Sequence, residues 1–196
     1  MVVAPGGTQA WIHPATAYPE PVRAELARRR EQILVRARGQ VLDLDDPAVI
    51  RRFEWLGATQ IGSALVASAR LAGPPVHDLA PPRPDGLYDT VVATGVLAGF
   101  ADLGAITTAL AALVAADGAL LFVEPVGRPG WSHLVRATVT DRRGRRPWSA
   151  LHLDRDVPAA VRAAGLVVCD LDRGVLHDQP LSLRHWVTGR AVRIGS

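Results

Sequence analysis

The residues best suited to chemistry in this chain are a few carboxylates and histidines. Asp43 stands in the run Val41-Leu42-Asp43-Leu44, and Asp45, Asp46 and Pro47 follow at once. That run reads as the first strand of an α/β sheet with an acid near its tip. A nucleotide-like cofactor is usually met there by glycines, which let the backbone approach a ligand and accept positive φ without strain. Here a proline removes an N–H, and two aspartates add bulk and charge. The histidines His13, His77, His133, His152, His177 and His185 are scattered, with no HExxH pair, so the sequence points to no metal site. Cys169 is the only cysteine, which rules out an internal disulfide and a cysteine metal cluster. Its apolar surroundings, Leu166-Val167-Val168-Cys169, predict a buried structural thiol rather than a nucleophile. Gly62-Ser63-Ala64 lacks the flanking glycines of a GxSxG serine elbow.

These groups act together only if regular elements carry them to one place. Residues 1–20 read as irregular, and residues 21–196 as a single domain. Pro21 suits a first helical turn, and Val22, Leu26, Ile33 and Leu34 recur at helical spacing, so a helix is expected from Pro21 to about Ala37, ended by Gly39. Strand 41–44 follows. Asp46 and Pro47 are a cap and first residue for a helix over 47–57, with Val49, Ile50, Phe53 and Leu56 on one face. A strand over 58–61, a helix over 64–71 and a very short strand at Val76 complete the first half. In the second half, strands are expected over 88–93, 119–123, 166–171 and 185–192. Helices are expected over 103–114 and 156–164, and Asp117-Gly118 reads as a turn. The unbroken apolar run Ala119–Val123 suits a central strand covered on both faces. Alternating strands and helices imply a Rossmann-like, doubly wound, mostly parallel sheet with helices on both faces. The last two strands, with no helix between them, predict a C-terminal antiparallel hairpin at its edge.

Composition narrows the function classes. The chain has 196 residues and 48% hydrophobic residues, enough for a sizeable core and too many for a disordered chain. Apolar runs are broken by Asp, Gly or Arg before membrane-spanning length. The N-terminus has no basic segment ahead of an apolar core, so the expected location is cytoplasmic. Every basic residue is arginine, and the formal charge is only +3. Arg28-Arg29-Arg30 and the loop Arg142–Arg146 read as a solvated helix face and a solvated loop rather than a nucleic-acid surface. Trp55, Trp131, Trp148 and Trp186 read as packing residues.

The order of these features resembles the class I methyltransferases that use S-adenosylmethionine, and within them the small-molecule group called type 11. The resemblance spans roughly residues 26–194. Leu87-Tyr88-Asp89-Thr90-Val91-Val92 matches the family's fourth strand. Val114 to Pro125, with Asp117-Gly118 and Glu124 inside it, matches a turn and the fifth strand. Leu151–Asp156 and Ala164-Gly165-Leu166 match the approach to the last helix and sixth strand. The resemblance implies a cofactor site made by Asp43, Ser63, Asp78 and Gly95: Asp43 for the amino group, Ser63 where the family has a ribose-binding acid, Asp78 for the adenine amine, and Gly95 beside the methionine side. Methyl transfer needs alignment and sometimes a base, and the resemblance gives His152 and His133 that role. Glu124 either opens toward the site or caps the turn that follows it. The family's glycine turn after the first strand is absent here. Two main readings therefore stand: a methyltransferase acting on a small molecule, or a catalytically inactive relative with a structural or regulatory role as a homo- or heterodimer partner. A third is other chemistry on a hydrophobic substrate in the same pocket.

Overall fold

The computed structural model describes residues 18–44, 87–100, 102–127, 151–177, 179 and 183–194. The elements expected over 47–57, 58–61, 64–71 and at Val76 lie outside these residues, as does the loop Arg142–Arg146. Among the described residues five strands form one sheet in the order β1-β2-β3-β5-β4. They are β1 (Val41–Asp43), β2 (Tyr88–Thr94), β3 (Val114–Val126), β4 (Val167–Val175) and β5 (His185–Val192). Strands β1, β2 and β3 pair in parallel. Strand β5 runs antiparallel to both β3 and β4. The expected hairpin is therefore present, with the later strand as its inner member and β4 outermost. The architecture is a Rossmann-like α/β fold, mostly parallel, with helices flanking both faces.

Alternation along the strands assigns those faces. Leu42, Val91, Ala93, Leu120 and Phe122 point into one cluster together with Ile106 and Leu110 of α2 (Leu103–Leu113) and Val157 and Val161 of α3 (Val157–Ala163). Val41, Val92, Leu121 and Val123 point the other way, onto Val22, Leu26 and Ile33 of α1 (Glu20–Leu34). Residues Ala119–Val126 are buried without interruption, as a central strand covered on both faces must be. The Asp117-Gly118 turn is absorbed into β3 as an irregularity: Tyr88 faces Val114, while Thr90 already faces Ala119.

Local signals account for the helix ends. Asp102 caps α2 by accepting from the Ala105 N–H at 2.9 Å, and Asp156 caps α3 by accepting from the Ala159 N–H at 3.0 Å. Proline occupies the first turn of α1 and of α3. Helix α1 ends at Leu34, short of the expected stop at Gly39. Gly39 instead has φ +60° and lies directly under the Asp89 side chain, whose Oδ2 accepts the Gln40 N–H at 2.8 Å. It shapes the entry to β1.

Two expectations are corrected. Cys169 is exposed, not buried. Among the described residues its strand is the outermost one, paired along one edge only, and most of β4 is open to solvent. The Arg28–Arg30 cluster is also not a uniformly solvated face. Arg28 is solvated, but the Arg29 side chain is only 13% exposed and lies over the Trp186 ring, 5.6 Å from its centroid. Arg30 turns in toward β1. The reason is helical period: positions 29 and 30 fall between Leu26 and Ile33 on the buried side. Trp186 itself packs in the α1-side core, 1% exposed. Among the described residues, no helix is long and apolar enough to cross a membrane.

Candidate functional site at the carboxyl ends of the strands

In an open α/β sheet, ligands collect beyond the carboxyl ends of the parallel strands. Strand β1 ends at Asp43, which lies opposite Val92 of β2, and the ladder closes with Leu44 N–H donating to the Val92 carbonyl at 2.9 Å. Three residues past Val92 stands Gly95. Two of the residues assigned from the sequence, Asp43 and Gly95, are thus on adjacent strand ends. His152 joins the same end of the sheet: its backbone N–H donates to the Ala98 carbonyl at 2.8 Å, in the short 3-10 turn Leu97–Gly99 that follows Gly95. His152 is half-buried. Ser63, Asp78 and His133 lie outside the described residues. So does the segment Asp45-Asp46-Pro47.

Both located candidate residues already have contacts within the chain. Asp43 is 2% exposed, and its Oδ2 accepts from Arg30 of α1 in an ion pair. Gly95 has φ +65°, the left-handed region where a side chain is strained. A Cβ there would come within 2.8 Å of the Leu26 Cδ1 and 3.3 Å of the Tyr18 ring. The Gly95 carbonyl accepts from the Tyr18 hydroxyl at 3.2 Å. The close approach that glycine permits is therefore made, in this structure, by Leu26 of α1 and by Tyr18, two residues ahead of that helix.

Glu124 holds the turn in place. Its carboxylate is fully buried and accepts from the backbone N–H of Val96 and Leu97, each at 2.9 Å, and of Ala98 at 3.4 Å. It caps a turn, but the one after β2, 26 to 28 residues earlier, and not the turn that follows its own strand. The phenol of Tyr18 is pushed to a pKa well above its usual value, first by burial and then by the negative charge of Glu124. It stays neutral and donates.

Between α1 and the end of β2 lies a cavity of about 230 Å³, bordered by Tyr18, Leu26, Arg30 and Thr94. Arg30, Tyr18 and Thr94 border this candidate site, and motif reading passes over them. For Arg30 a signal exists, since its helical position faces inward. For Tyr18 and Thr94 none does: a lone tyrosine before a helix and a threonine at a strand end are ordinary in any sequence. Among the described residues, no group of three metal-ligating side chains converges.

Comparison with known proteins places the fold. No protein-family model and no curated protein matches the chain. Solved structures do match over most of its length. The cyclase SpnF aligns with a TM-score of 0.52 at 14% identity, covering 86% of this chain and 82% of that one. The N-methyltransferase NodS from Bradyrhizobium japonicum WM9, in complex with S-adenosyl-L-homocysteine, aligns with a TM-score of 0.51 at 15% identity, covering 91% and 90%. The Rossmann-like α/β fold is thus shared with a solved methyltransferase and with a solved cyclase. At such identities the likeness reaches the fold and stops there.

Proposed function

We propose that this chain is an S-adenosylmethionine-dependent methyltransferase acting on a small molecule. The observation that carries the reading is the pairing of Asp43 and Gly95 on adjacent parallel strand ends beside a cavity. A stand-in tests the fit of the cofactor: the Arg30 guanidinium on Asp43 shows that this buried carboxylate receives a cation. An ammonium group has the matching charge, and the residues fit it provided Arg30 gives way. The cofactor, when bound, supplies an electrophilic methyl group. The chain's own part is to hold and orient. Asp43 holds the amino group, the Gly95 turn sets the floor, and α1 with Tyr18 shields the site from water. His152 stands at the same strand ends as the base for an acceptor that needs to lose a proton.

Calorimetric titration with S-adenosylmethionine and S-adenosylhomocysteine tests this. Saturable binding is expected, with a loss of about tenfold or more in D43N, as befits a charge-assisted contact. No binding at millimolar cofactor retires the reading.

One observation favours a second reading, that of a catalytically inactive relative with a structural or regulatory role, as a homo- or heterodimer partner. It is the same Arg30–Asp43 pair, taken as a permanent replacement for the cofactor's cation. Failure of the cofactor to bind to wild type and to R30M alike would support it. That SpnF, a cyclase by name, shares the fold also keeps chemistry other than methyl transfer within reach of this architecture.

A further inference from the structure

The polar backbone of the turn after β2 has assignable partners. The N–H groups of Val96, Leu97 and Ala98 go to Glu124. Those of Gly99 and Phe100 close the turn on the carbonyls of Val96 and Leu97, at 3.1 and 3.2 Å. Of the carbonyls that this scheme leaves over, those of Ala98 and Phe100 are both taken by one short segment. The His152 N–H donates to Ala98 at 2.8 Å, and Arg155 Nη1 donates to Phe100 at 2.8 Å. The same segment is tied to the end of β3, where the Leu153 carbonyl accepts the Gly127 N–H, and it runs into the Asp156 cap of α3. Leu151 and Leu153 are buried, while His152 and Arg155 are half-buried.

The two contacts on this turn differ in kind. The first is a neutral bond at the backbone of His152 itself, and one such bond fixes a point about which a segment can swing. The second comes from a guanidinium, and hydrogen bonds with a charged partner are the stronger ones. Two anchors fix a direction. A base works only within hydrogen-bond reach of the proton it takes, and a misplacement of about 1 Å can cost a factor of about 100 in rate. We propose that Arg155 is a positioning residue for His152. By gripping the Phe100 carbonyl it holds the segment so that the imidazole is presented at the strand ends in one orientation. The inference rests on the methyltransferase reading, in which His152 is the base; Arg155 acts through His152 and not on a reacting atom.

Nuclear magnetic resonance on the cofactor-free chain tests this in R155M, which removes the donor, and in R155K, which keeps a charged one. In R155M the His152 amide proton is expected to exchange about tenfold faster than in wild type, as the loss of one charge-assisted hydrogen bond implies. The amides of Val96 and Leu97, held by Glu124, should keep their wild-type rates. The His152 ring resonances should move toward those of an unfolded chain. R155K should return both the amide rate and the ring resonances most of the way to wild type. R155Q, which keeps a neutral donor, should fall between R155K and R155M, and it carries the same comparison if R155M does not fold. The proposal is overturned by a His152 amide and ring unmoved in R155M, by no recovery in R155K, or by equal acceleration at Val96, Leu97 and His152, which would make Arg155 a general support of the turn. Titration of the same samples with S-adenosylmethionine separates the two ideas. R155M should bind the cofactor as wild type does, since the contacts of Asp43 and Gly95 lie elsewhere. Absence of cofactor binding to wild type retires the methyltransferase reading, whatever His152 shows. Unmoved His152 signals beside normal cofactor binding retire the role of Arg155 alone.

Discussion

Glu124 and Thr94 are two buried polar residues at the same end of the sheet, with opposite economies. Glu124 has its carboxylate committed to three backbone N–H groups. Replacing it by alanine would leave those donors buried and unpaired, at roughly 1–3 kcal/mol each in the handiest accounting. Glu124→Ala is expected to lower stability by about 3 kcal/mol or more in chemical denaturation, with Glu124→Gln, which keeps an acceptor oxygen, costing clearly less. Thr94 is the reverse case. Its hydroxyl has no partner, so the near-isosteric Thr94→Val should raise stability by about 1 kcal/mol, seen as a higher denaturation midpoint with an unchanged slope. At this scale the sequence was only partly legible. Asp43, the last residue of a strand, and Gly95, the first after one, stand at the strand ends where the sequence reading put them. The carboxylate of Glu124 reaches back 26 to 28 residues to its partners, and no local pattern encodes such a contact.

Helix α1 is the element that most changes the picture of the site. Its stripe Val22, Leu26 and Ile33 was visible as helical period, and so were the strands β2, β3 and β5, whose apolar runs are continuous or alternating. What period does not show is what an inward arginine is aimed at. Arg30 was grouped with its neighbours as a charged face because a charge usually means solvent, yet its place between Leu26 and Ile33 turns it toward Asp43. Cys169 was misread for the converse reason: an apolar run marks a strand but not whether that strand is central or outermost. Tyr18, just ahead of α1, fastens the helix start to Gly95. Because burial and Glu124 raise its pKa above the unfolded value of about 10, folding favours the protonated phenol. That contribution is fully present below pH about 10 and is lost as pH rises through the folded pKa. Tyr18→Phe should cost about 1 kcal/mol near neutral pH through the missing hydrogen bond. It should also flatten the alkaline fall in stability that the wild type shows. A pH series of denaturation midpoints measures both effects, and an alkaline limb unchanged in the variant would contradict the assignment.

At the scale of the whole molecule, the Arg30–Asp43 pair joins the two functions of α1, covering one face of the sheet and closing the carboxyl end. A buried carboxylate deprived of its cation typically costs 3–5 kcal/mol. Arg30 is about a quarter exposed at its side chain, and Asp43 has further interactions, so a loss near the low end, about 3 kcal/mol, is expected for Arg30→Met. If Asp43 is the anchor for a cofactor's amino group, the same substitution removes a competitor for that carboxylate. Cofactor affinity should then rise as intrinsic stability falls. Saturating S-adenosylmethionine should restore more stability to R30M than it adds to wild type, because a ligand stabilises by an amount that grows with its affinity. Melting curves of the two proteins with and without cofactor read both quantities at once. A larger ligand-induced shift in R30M identifies Arg30 as a displaceable occupant of a working site. Absence of any cofactor-induced shift in both proteins makes the pair a fixed strut, and the strand ends a site from which the cofactor is shut out.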